Sequence, residues 1–140
     1  MNTSFTEIYS HDTETDVMHK INSMELANWI SHLNYIKKEL NHLISLSKDR
    51  KGQELEYARF LQSFQKKYNE NDTLLQTLRN YLNTRGNIHE CEDTQCDMAY
   101  VYEHESYRRS YLYHLEKYRR LKDEFFYKVR SNLINLKPTS

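Results

Sequence analysis

Helix-breaking residues are almost absent from this 140-residue chain, which has two glycines and one proline. In a helix interior they cost about 1 and about 3 kcal/mol respectively. Gly52, Gly86 and Pro138 all stand where a helix would stop, leaving three long uninterrupted stretches. Cysteine is nearly as scarce. Cys91 and Cys96 are too few for a disulfide scaffold and read as free loop cysteines, with a transient disulfide between them as the alternative; cytoplasm is the expected location. An excess of one charge sign is missing too: 20 basic residues balance 20 acidic ones. Net neutrality supplies no general attraction to nucleic acid or anionic membrane, and little self-repulsion to oppose association. No apolar run approaches the ~20 residues that span a bilayer, so no membrane contact is expected. The N-terminus lacks a basic region followed by an apolar core, so no signal peptide is expected. There is no glycine-rich phosphate loop and no strand-turn-helix elbow. The expectation is a protein that is not an enzyme and carries no cofactor.

The residues present describe an all-α protein. Residues 1–12 are polar and aperiodic and read as a disordered tail; 13–137 read as one helical bundle domain, with helices over about 13–49, 53–83 and 95–136. In the first stretch Leu26, Trp29, Leu33, Ile36, Leu40 and Leu43 alternate steps of three and four, a heptad seam. The second carries Tyr57, Leu61, Phe64, Tyr68, Asn71, Leu75, Leu78 and Leu82 in the same rhythm. Its one polar member, Asn71, either fixes register or, with Asp72, caps a new helix. The third carries Tyr100, Tyr107, Tyr111, Leu115, Tyr118, Leu121, Phe125, Val129 and Leu136. Short connections make long neighbouring helices antiparallel, giving an up-down-up three-helix bundle with coiled-coil-like heptad packing.

The third helix is over-long. At ~1.5 Å per residue it exceeds the second by roughly 18 Å, and a compact second turn would leave that surplus at the C-terminus. Phe125, Phe126, Val129, Leu133, Ile134 and Leu136 lie there, an apolar stripe expected to mediate self-association. Tyrosine, with twelve copies, is the unusual residue. At 100° per residue Tyr102, Tyr113 and Tyr127 fall opposite the core face together with Arg109 and Arg120. Such a Tyr/Arg ladder suits a protein interface, because Tyr and Arg are enriched at binding hot spots; it could also stack bases beside phosphates. The plainer account is a solvated face coloured by AT-rich codon usage. The helix is acidic at its start (Asp97, Glu103, Glu105) and basic from Arg108 to Arg130. That suits its own dipole and would also suit antiparallel pairing of two copies.

No metal site is assigned. His89, Cys91 and Cys96 are the nearest candidates, but they lack an evident fourth ligand. Glu39 and His42 have di-iron spacing but lean outward from the Leu40/Leu43 seam. If His32 were level with His104, His42 with His114, and Glu70 close to the His32 layer, a His-Glu-His layer could bind a metal or sense pH. The leading expectation is a small protein-protein interaction or adaptor protein that self-associates through its C-terminal helix, with a further protein partner unidentified. A metal-binding bundle, as sensor or enzyme, is the alternative. A nucleic-acid-binding module using the Tyr/Arg face is a further one, against which the zero net charge counts.

Overall fold

The computed structural model describes residues 7–50, 52, 54–86, 91 and 93–135. They form α1 (Glu14–Arg50), α2 (Leu55–Thr84) and α3 (Thr94–Asn135), an up-down-up three-helix bundle with no strand among the described residues. Both ends of α1, the end of α2 and the start of α3 lie within one residue of the sequence expectation; the expected start at 53 and end at 136 lie outside the described residues. Local chemistry sets the starts. The Thr13 hydroxyl accepts the Asp16 backbone N–H at 3.1 Å, and the Asp16 carboxylate accepts that of Thr13 at 3.0 Å, a reciprocal cap opening α1. Asp93 caps α3 by accepting the Cys96 N–H at 2.8 Å. α2 runs unbroken through Asn71, so that residue starts no new helix.

α1 and α2 pack most closely, through Leu26, Leu33, Ile36, Leu40, Leu43, Leu75 and Leu78. α3 is joined to them by longer side chains. At one end Phe125 meets Tyr57, Phe60 and Phe64 edge to face, with ring centroids 5.2–6.2 Å apart. At the other, Trp29 stacks on His104 and Tyr111 at 4.9 and 5.3 Å. The tyrosines and histidines of α3 thus span a gap that leucine would not fill. On α2 the buried stripe departs from the expected seam at both ends. Phe60 and Tyr81 are buried, whereas Leu61 is half-buried and Leu82 exposed. α2 faces two neighbours, so its covered face is wider than a two-helix seam.

Polar side chains set the register of the parallel helices α1 and α3. Glu25 meets His104, His32 meets Tyr111 and Glu39 meets Tyr118, each 79 residues apart, and these rungs recur every seven residues. The spacing expected from His32 level with His104 is 72, one heptad short. A seven-residue slide leaves apolar seams in phase, so the seams alone do not distinguish the two registers. The His-Glu-His layer therefore does not assemble: His42 is exposed, and Glu70 pairs with Lys67 on the surface.

The surplus length of α3 falls mainly at its N-terminal end rather than its C-terminal end. Tyr57, near the start of α2, accepts a hydrogen bond from Asn132 at 2.6 Å, so α2 reaches almost the last turn of α3. Tyr81 is level with His104, and α3 begins well before that point, at Thr94. The Tyr81–His104 hydrogen bond sets the end of α2 level with His104 rather than with the start of α3, and Arg85, turned inward at that end, ties it to His19 and Ser23 of α1.

Candidate functional site

Periodicity places the Tyr/Arg ladder on the outer face of α3, and nothing in the bundle covers it. Tyr102, Tyr113 and Tyr127 are 68%, 65% and 67% exposed, and Arg109 and Arg120 are exposed beside them. From Tyr102 to Tyr127 the stripe is about 38 Å long. Neighbours on the same helix lie against some of its members. Lys117 is 5.3 Å from the Tyr113 ring centroid, Arg130 is 5.9 Å from that of Tyr127, and Arg120 pairs with Glu116 at 3.0 Å. Phe126, Leu133 and Ile134 are also exposed, toward the C-terminal end of α3.

Beneath this face lies a polar layer anchored by a buried arginine. Arg85 is only 1% exposed, and among the described residues no carboxylate bonds to it. Its guanidinium donates to the His19 carbonyl at 2.8 Å, to the Ser23 hydroxyl at 2.9 Å and to the Tyr81 hydroxyl at 2.8 Å. Tyr81 donates its own proton to His104 Nδ1 at 2.9 Å, and His104 Nε2–H donates to Glu25 at 2.7 Å. This order requires the neutral Nε2–H tautomer of His104, because Nδ1 must accept. Arg108 holds Glu25 from the far side, at 2.5 and 3.1 Å.

The electrostatics agree with that order. Burial pushes His104 below the ordinary histidine value, outweighing the Glu25 hydrogen bond. Burial pushes the Tyr81 hydroxyl up to about 12 despite Arg85. Burial raises the Glu25 carboxyl, but hydrogen bonds from Arg108 and His104 more than reverse this and hold it below its usual value. The layer fixes protons in place, which positions and stiffens α3 rather than activating a nucleophile.

No family model, curated protein or solved structure matches the chain. The surface and the layer beneath it therefore stand on their own geometry. The structure brings the five ladder residues to one exposed stripe but divides the apolar stripe expected for self-association. Phe125 is 1% exposed and belongs to the monomer core, because it faces the aromatic side of α2. Val129 is half-buried against the same core. Leu136 lies outside the described residues. Among the weak metal candidates, Cys91 and Cys96 are joined as a disulfide, so neither offers a thiolate, and His89 lies outside the described residues. That bond takes the place of the expected free thiols. Glu39, of the Glu39/His42 pair, is taken by Tyr118 and Lys122. No helix is long and apolar enough to cross a membrane among the described residues.

Sequence reasoning missed Arg85, His104 and His114 as interior residues. The seam pattern marks apolar positions, and these three occupy core positions through hydrogen bonds instead. The available signal was spacing: Arg85 continues the seven-residue series of Tyr57, Phe64, Asn71 and Leu78.

Asn71 joins all three helices, donating to the Leu33 carbonyl at 2.9 Å and accepting from His114 Nε2 at 2.8 Å. Burial pushes His114 down to about 4, with Lys67 adding to the effect. An unfolded histidine titrates near about 6.5, so between these values the unfolded chain holds more protons and stability falls as pH drops. We expect His114 to contribute a loss of about 1–2 kcal/mol between about pH 7 and about pH 5, discounted for solvent screening at the ring edge. Urea midpoints at the two pH values should move apart in the wild type and less so in His114→Gln, which keeps a donor for Asn71 but cannot charge. An equal shift in both proteins would remove His114 as the source.

Proposed function

We propose that the chain is a small protein-protein interaction or adaptor protein that works by binding rather than catalysis and self-associates through the outer face of α3. One observation carries the reading. Five large side chains of hot-spot type share one exposed stripe, and the fold uses none of them for its own packing. Part-buried polar rungs hold the helix beneath in a single register, so the stripe is presented ready-formed, which lowers the ordering cost of association. Ile134 extends the same stripe with apolar area at the C-terminal end, whereas Phe126 and Leu133, also exposed, lie on the side of α3 that flanks α2.

Arg109→Ala and Tyr113→Ala should each change unfolding stability by no more than about 0.5 kcal/mol, since both side chains are exposed. The double replacement should weaken self-association by about 2 kcal/mol or more. Light scattering across a concentration series, paired with thermal unfolding, reads both. A large stability loss at Tyr113 would contradict the exposed phase of α3. Unchanged stability with unchanged association would leave the ladder a solvated surface. Tight binding to single-stranded nucleic acid that falls steeply with salt would point instead to base stacking on the tyrosines.

A further inference from the structure

The charges of α3 are segregated along its length. Asp97 near its start is paired inward with His19, which leaves Glu103 and Glu105 as the outer acids there, and the basic side chains dominate from Arg108 to Arg130. Two copies meeting through this helix in parallel would set acid on acid and base on base; antiparallel copies oppose unlike signs. Outward-facing residues then select the register. Glu105, Arg109, Glu116 and Arg120 all lie on or beside the ladder stripe, and in one antiparallel register their signs alternate correctly across the pair. Displaced by about one turn, Arg109 would face Arg120 and Glu105 would face Glu124, both like-charge.

Resting on the self-association reading above, we infer that the partner of this surface is a second copy of the chain, docked antiparallel. Glu105 lies level with the partner's Arg120, and Arg109 lies level with the partner's Glu116. The two-fold axis then passes between Leu112 and Tyr113, which puts exposed apolar and aromatic area at the centre and charge on either side. Met98 comes level with the partner's Tyr127, both exposed in the monomer. Helices paired at about 8–10 Å are close enough for Arg and Glu side chains to bridge. Within the monomer Glu116 holds Arg120 and Glu105 holds Arg108, both on the surface of the one helix. Such surface pairs are of the weak kind, so they can be shared or exchanged without much cost. Symmetry repeats each rung, so one substitution alters two contacts.

The experiment uses full-length chains carrying Arg109→Glu or Glu116→Arg, studied alone and mixed by sedimentation velocity, with thermal unfolding to show that each still folds. In this register each single variant opposes like charges to itself and should lose dimer affinity by about tenfold or more. Mixed together, the two variants restore both rungs. One chain then carries acid at both positions 109 and 116, and the other carries base at both. A heterodimer of near wild-type affinity should form. Wild-type affinity in both single variants, or weakened variants that fail to rescue each other, would overturn this register while leaving a wild-type dimer as evidence for self-association. A wild-type chain that stays monomeric would overturn the register and the reading beneath it together.

Discussion

Arg85→Ala should destabilise the protein by about 3–5 kcal/mol, from the loss of a large buried side chain together with its hydrogen bonds. The side chain is fully enclosed, and its donors serve the His19 carbonyl, the Ser23 hydroxyl and the Tyr81 hydroxyl. Removing it takes the donor from the Tyr81 and Ser23 hydroxyls, each deficit worth about 1–3 kcal/mol, and leaves a cavity, while the His19 carbonyl keeps the Ser23 hydroxyl as donor. Against a typical total of about 5–15 kcal/mol this is a large fraction. Arg85→Met keeps most of the volume and should recover the cavity part but not the hydrogen-bond part. Arg85→Lys keeps the charge but not the planar fork, so it should fall between alanine and wild type. Urea unfolding at neutral pH reads the series. A loss under about 1 kcal/mol for Arg85→Ala would mean that the guanidinium is not the anchor of this end of the bundle.

Phe125→Ala should cost about 3–5 kcal/mol, the usual range for a large aromatic removed from a close-packed core. Its ring contacts Phe60, Phe64 and Tyr57 edge to face, and its neighbour Phe126 lies 5.5 Å away, exposed on the outside. The adjacent pair makes a sharp contrast. Phe126→Ala removes a half-exposed ring and should change stability by about 1 kcal/mol or less. Similar losses at both positions would mean that the end of α3 is rotated relative to its helical phase.

Long-range periodicity made the three helices legible in the sequence. Gly52 and Gly86 stand between the helices, and the leucine rhythm of α1 predicts its buried face residue by residue: Leu26, Trp29, Leu33, Ile36, Leu40 and Leu43 are all buried. The outward phase of Tyr102, Arg109, Tyr113, Arg120 and Tyr127 follows from the same 100° step. Register was not legible, because a seam repeating every seven residues looks the same after a slide of seven. The choice is made by Glu25 with His104, His32 with Tyr111 and Glu39 with Tyr118, pairs that no single helix reveals. Arg85 was not legible as a core residue for a related reason. Beside Gly86 it has the composition of a loop, and two of its three acceptors come from α1, more than sixty positions away in the chain. The surplus of α3 lies at the end opposite to the expected one, because α2 ends level with His104 while α3 already starts at Thr94.

Sedimentation equilibrium of the full wild-type chain at micromolar concentration tests the central claim most directly. An antiparallel dimer gives a mass that rises with concentration toward twice the 17.1 kDa of one chain. A mass that stays at 17.1 kDa throughout would contradict it, leaving the outer face of α3 without the partner assigned to it.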